Sequence, residues 1–160
     1  MRTLLLLLLI SVVGCQSKNS QKHSEIGNFK INIKYSCLIP SCPEVYITQD
    51  SLIWKDQSRQ EPRIIKTLSQ AETREFAGSL QKINLLQMKD DYVNHHIDDG
   101  IEFTINASIK NQQKNIQVAN YYQPEVDQLI KALNKLLPQG NQLYYPEKML
   151  KKFTEQMKKK

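Results

Sequence analysis

Ile101-Glu-Phe103-Thr-Ile105-Asn-Ala107-Ser-Ile109 alternates apolar and polar residues without a break. Successive side chains of an extended strand point to opposite faces, so this stretch reads as a strand with one buried face. Asn111–Asn115 turns the chain, and Ile116-Gln-Val118-Ala answers as the second arm of a hairpin. A sheet that is apolar on one side only must be covered there by another layer. The rest of the chain is therefore constrained to supply more strands and the helices that cover them.

Phe29-Lys-Ile31-Asn-Ile33-Lys-Tyr35 has the same period of two, Val45-Tyr-Ile47-Thr is a second strand, and Leu52-Ile-Trp54-Lys returns from it. Arg63–Leu68 is a candidate further return strand. Ser69-Gln-Ala-Glu72 is a capping box, and it opens a helix with Phe76, Leu80 and Ile83 on one face, ending near Leu86. Lys89–Gly100 reads as a polar linker. Pro124 suits the first position of a second helix. That helix carries Val126, Leu129, Ile130, Leu133, Leu136 and Leu137 as a stripe, and Pro138 and Gly140 stop it. The expected fold class is α+β: an antiparallel sheet with two helices packed on one face, in the order strands, helix, strands, helix.

The N-terminus specifies a location. Arg2 precedes the ten-residue stretch Leu4–Val13, apolar except for Ser11, and then Gly14-Cys15. Spanning a bilayer as a helix needs about 20 apolar residues, so this run is too short and reads as a signal peptide. Val-Val-Gly-Cys resembles a bacterial lipobox, in which cleavage before Cys15 leaves its sulfur to carry a diacylglycerol with palmitate-type chains. The expected organisation is residues 1–14 signal peptide, 15–28 flexible tether rich in Ser, Asn, Lys and Gln, 29–138 the α+β domain, and 139–160 a basic C-terminal arm. The arm carries Met149, Leu150, Phe153 and Met157 at helical spacing with lysines on the other face. Such a helix either packs on the domain or contacts a membrane or partner. Position 16 is Gln where an inner-membrane retention signal would have Asp. The expected address is therefore the outer membrane, facing the periplasm.

The net charge of +6 suits an anionic envelope surface, and nucleic acid is not expected as a partner of an exported, lipid-anchored protein. With Cys15 lipidated, Cys37 and Cys42 remain, and an oxidising compartment favours a disulfide between them. Free thiols, or redox or metal use of this pair, are the alternatives, but four residues separate the cysteines where a redox motif has two.

Cys37…Cys42-Pro43, Ser69–Glu72, Asp99-Gly100 and Pro124–Pro138 follow the lipobox and tether in order. This order resembles a family of uncharacterised small lipoproteins of Gram-negative bacteria over roughly residues 29–138. The resemblance implies the lipid anchor and the strand-and-helix order. It implies no catalytic residue.

His95-His96-Ile-Asp98-Asp99 is the densest set of potential metal ligands, but adjacent histidines in an extended loop point different ways. A solvated loop is the plainer reading. No Gly-x-Ser-x-Gly elbow occurs, and five glycines in the whole chain leave no phosphate-cradling loop. Tyr121-Tyr122 and Tyr144-Tyr145 are candidate interface residues, since tyrosine joins apolar area to a polar tip. The alternative is that one of each pair packs on the core. Trp54 reads as core or strand-face packing. The sequence thus points to a lipid-anchored envelope protein with a binding or structural role, no cofactor and no catalysis. Its partners would be the membrane, through Cys15, and an unknown envelope protein. The alternatives are a metal-dependent enzyme centred on His95–Asp99 and a sheet-edge inhibitor of an envelope enzyme.

Overall fold

The computed structural model describes residues 28–36, 42–56, 61–97 and 100–159. In chain order the elements are β1 (Phe29–Ser36), β2 (Pro43–Ile47), β3 (Ser51–Asp56), β4 (Arg63–Thr67), α1 (Gln70–Ile83), a short 3₁₀ turn (Leu85–Gln87), β5 (Asp91–Val93), β6 (Glu102–Ile109), β7 (Gln112–Ala119), α2 (Pro124–Asn134) and α3 (Glu147–Lys158). The strands form one sheet in the order β4-β3-β2-β1-β6-β7-β5.

The class is α+β, as expected, but two details differ from the sequence reading. The sheet is mixed: β5 pairs parallel with β7, while the other neighbours are antiparallel. The helices number three among the described residues, so the order is strands, helix, strands, two helices. The parallel edge strand carries no local signal. The sequence of β5 falls in the stretch read as a linker, and three residues are too few to show a period. β4 and β5 are the opposite edges of the sheet, so the chain crosses its full width through α1 and the 3₁₀ turn. It then meets the outer edge of β7.

Alternation decides which face is covered. Phe29, Ile31, Ile33 and Tyr35 of β1, Val45 and Ile47 of β2, and Leu52 and Trp54 of β3 are all buried. Phe103 and Ile105 of β6, and Ile116 and Val118 of β7, are buried with them. They pack in one cluster with Phe76, Leu80 and Ile83 of α1 and Val126, Leu129, Ile130 and Leu133 of α2. Each of these large side chains contributes about 1.5–3 kcal/mol by leaving water. Trp54 is core, and its indole N–H donates to Asp56 Oδ1 at 2.6 Å.

Local signals hold where they were read. Ser69 caps α1: its Oγ accepts from Glu72 N at 3.3 Å and Glu72 Oε2 accepts from Ser69 N at 2.9 Å. Lys66 adds an ion pair to Glu72 at 2.7 Å. The bond from Lys66, then those from Ser69, hold the Glu72 carboxyl down to about 2. Pro124 opens α2. Leu136 and Leu137 are buried just beyond its last turn.

Gly78 lies inside α1, and a Cβ built there meets nothing within 4 Å. Glycine in a helix interior costs about 0.5–1 kcal/mol relative to alanine. Gly78→Ala should therefore raise the thermal midpoint by about 2–4 °C. An unchanged or lowered midpoint in a calorimetric scan would contradict the helical environment assigned to it.

Of the alternatives left open for the basic C-terminal segment, the structure shows contact with the domain. Leu143, Leu150 and Thr154 are buried. Thr154 Oγ1 accepts from Tyr122 N at 2.7 Å, and Asn94 Nδ2 donates to Phe153 O at 3.2 Å. Lys131, on α2, pairs with Glu147 at 3.4 Å. Among the described residues no helix is long and apolar enough to cross a membrane.

Candidate functional site

The loop after β5 carries the expected metal ligands. His95 and His96 are exposed, while Asp98 and Asp99 lie outside the described residues. Among the described residues no group of three His, Cys, Asp or Glu side chains converges to hold a metal ion. What does converge is amide chemistry. Asn94 N donates to Ala119 O at 3.0 Å and Asn94 Oδ1 accepts from His96 N at 3.2 Å. Asn120 is buried with φ 53°. Its Oδ1 accepts from Ile101 N at 3.0 Å and its Nδ2 donates to Ile97 O at 3.2 Å. Its own N–H donates to Ile101 O at 3.0 Å. A Cβ at Gly100 would stand 1.8 Å from Asn120 Oδ1, so only glycine fits there. Two asparagines therefore tie this loop to the end of β7.

The tyrosine pairs serve mainly to hold α3 and the preceding segment. Tyr145 is half-buried, its ring 5.3 Å from Phe103, which in turn stacks on Tyr35 at 4.8 Å. Tyr145 Oη accepts from Gln123 N at 3.0 Å and donates to Gln123 O at 3.2 Å. Burial pushes its phenol well above the ordinary value. Tyr122 lies 6.1 Å from Tyr145, under the Lys151 ammonium at 4.7 Å, and its hydroxyl donates to Asp127 at 3.3 Å. Tyr121 packs on Tyr92 at 5.8 Å. Tyr144 is 67 % exposed. The packed-and-exposed division thus describes Tyr145 and Tyr144; Tyr121 and Tyr122 are both half-buried.

Cys42 is buried. Cys37, its expected partner, and Cys15 lie outside the described residues.

The surface that sequence reading missed is the other face of the sheet. With α1 and α2 on the apolar side, no described helix covers the second face. Register places Asn32 of β1 opposite Asn106 of β6, and Asn106 opposite Asn115 of β7. On the other side Asn32 faces Tyr46, Tyr46 faces Ile53, and Ile53 faces Ile64. One row crosses six strands, from three amides through a phenol to two isoleucines. Asn106 Nδ2 donates to Asn32 Oδ1 at 3.3 Å, Asn32 Nδ2 to Glu44 Oε1 at 3.0 Å, and Tyr46 Oη to the same Glu44 oxygen at 2.6 Å. The bond to Glu44, with burial added, pushes the Tyr46 phenol up to about 12. The row ends on the edge strand β4, where Ile64 is 66 % exposed.

Alternation signals that each strand has a polar face. Nothing local signals which polar residues become neighbours.

No family model matches the chain, and neither a curated protein nor a solved structure is found to match it.

Proposed function

We propose that this protein is a lipid-anchored binding module of the cell envelope, and that the uncovered sheet face is its contact surface. The observation that carries this reading is the six-strand row Asn115–Asn106–Asn32–Tyr46–Ile53–Ile64, on a face that no described helix covers. The sequence supports the anchor: Leu4–Cys15 has the pattern of a lipobox signal peptide, and Gln16 favours the outer membrane, facing the periplasm. The order of features also resembles the small Gram-negative lipoproteins named above. A disulfide between Cys37 and Cys42 fits that compartment.

Photo-crosslinking in intact cells tests the surface. A benzophenone side chain at Asn106 or Tyr46 should give discrete adducts, and one at Gln128, exposed on α2, should not. Adducts confined to Gln128 would sink the reading. A second reading, strand addition at β4, has the exposed Ile64 on an edge strand in its favour. It predicts adducts at Ile64 alone.

A further inference from the structure

Two cross-strand rows form a shallow groove on the uncovered face. Lys30 faces Ser108, which faces Gln113, and beside them run Asn32, Asn106 and Asn115. The next row continues it as Lys34, Thr104 and Gln117. None of these nine side chains is a carboxylate. Lys30 and Lys34 take part in no ion pair among the described residues. Carboxylates border the Lys34–Thr104–Gln117 row and not the Lys30 and Asn32 rows: Glu44, opposite Lys34, bonds Asn32 and Tyr46 and pairs with Lys55, Glu102 bonds Gln117, and exposed Asp91 stands opposite Gln117.

We infer that this groove binds a carboxylate-bearing oligosaccharide, lying across the strands. Three features select this ligand class. Amide and hydroxyl side chains both donate and accept, as the alternating hydroxyls of a sugar require. Neighbouring strands are about 4.8 Å apart, close to the advance of one pyranose unit along an extended glycan, so Asn32, Asn106 and Asn115 can each address one sugar. Lys30 and Lys34 flank the central amide row on β1 and supply the complementary charge for uronate-type carboxylates. Lys114 also lines the groove but is paired with Asp90, so seven neutral polar groups stand beside two lysines outside any described ion pair, the wrong balance for a polyphosphate or nucleic acid, where cation contacts dominate. The inference rests on the uncovered face being the contact surface and adds the ligand class.

The test is calorimetric titration of the full chain, purified in detergent, with an oligogalacturonate. A neutral chito-oligosaccharide and inorganic polyphosphate serve as the comparison probes. Saturable binding of the uronate is expected, weakened about tenfold by Lys30→Ala with Lys34→Ala, and about tenfold by Asn106→Ala with Asn115→Ala. Both pairs are at surface positions, and their melting temperatures should match the parent. Three results would overturn the inference: no saturable heat at millimolar uronate, equal binding of the neutral oligomer, or equal binding of polyphosphate. Crosslinks at Asn106 without uronate binding would overturn the ligand class and leave the contact surface standing.

Discussion

Asn120→Ala should lower stability by about 3 kcal/mol. Two groups lose their partners: the Ile101 N–H, which donates to Asn120 Oδ1, and the Ile97 carbonyl, which accepts from Asn120 Nδ2. An unsatisfied buried group costs about 1–3 kcal/mol, and these two, being part-buried, fall at the low end. Position 120 also has φ 53°, which asparagine tolerates and alanine adopts at a cost of about 1–2 kcal/mol. The thermal midpoint should fall by roughly 10 °C, and limited proteolysis should cut near His95-His96. Gly100→Ala should have a comparable effect, because its Cβ would collide with the same amide oxygen. The double variant should then be less destabilised than the sum of the two single ones, since both break one contact set. A midpoint within about 2 °C of the parent for Asn120→Ala would show that the loop is held by something else.

Cys15→Ala should move the protein from the membrane fraction to the soluble or unprocessed fraction. Buried acyl chains contribute about 0.8 kcal/mol per CH₂, and two chains or more are needed for firm anchorage. Losing the thiol removes the attachment point for the whole diacylglycerol, so retention should drop from nearly complete to background. Carbonate-washed membranes and intact-mass analysis measure both halves of the expectation. A variant that still sediments with membranes and keeps its acyl mass would refute the lipobox assignment.

Some of this fold was legible because its signals are local. Ser69 and Glu72 are three residues apart and cap one helix. Ile101–Ile109 and Ile116–Ala119 are joined by a short turn. The Val126–Leu133 stripe needs only the helical period. β5 was not legible, because Asp91-Tyr92-Val93 acquires its strand character from β7, which comes later in the chain. The role of α3 was half legible: its apolar stripe was plain, but Asn94 and Tyr122, which receive it, give no sign of doing so. The groove was hidden for the same reason. Asn32 and Asn106 are 74 residues apart, and only the pairing of β1 with β6 makes them neighbours.

That pairing has a kinetic consequence. The four-strand meander β1–β4 and the group β5–β7 join through β1 alone, with Phe29 opposite Ile109 and Ser36 opposite Glu102. β1 emerges first and sits in the middle of the sheet, so one of its edges stays open until β6 has been made. Chains dominated by such distant pairings fold slowly, in milliseconds to seconds, because loop closure precedes the reward. For a chain that is exported as proposed here, late closure keeps it threadable while it crosses the inner membrane. The same delay leaves the Ile31 and Ile33 edge unpaired, so β1 is the segment that should seek a chaperone or aggregate first.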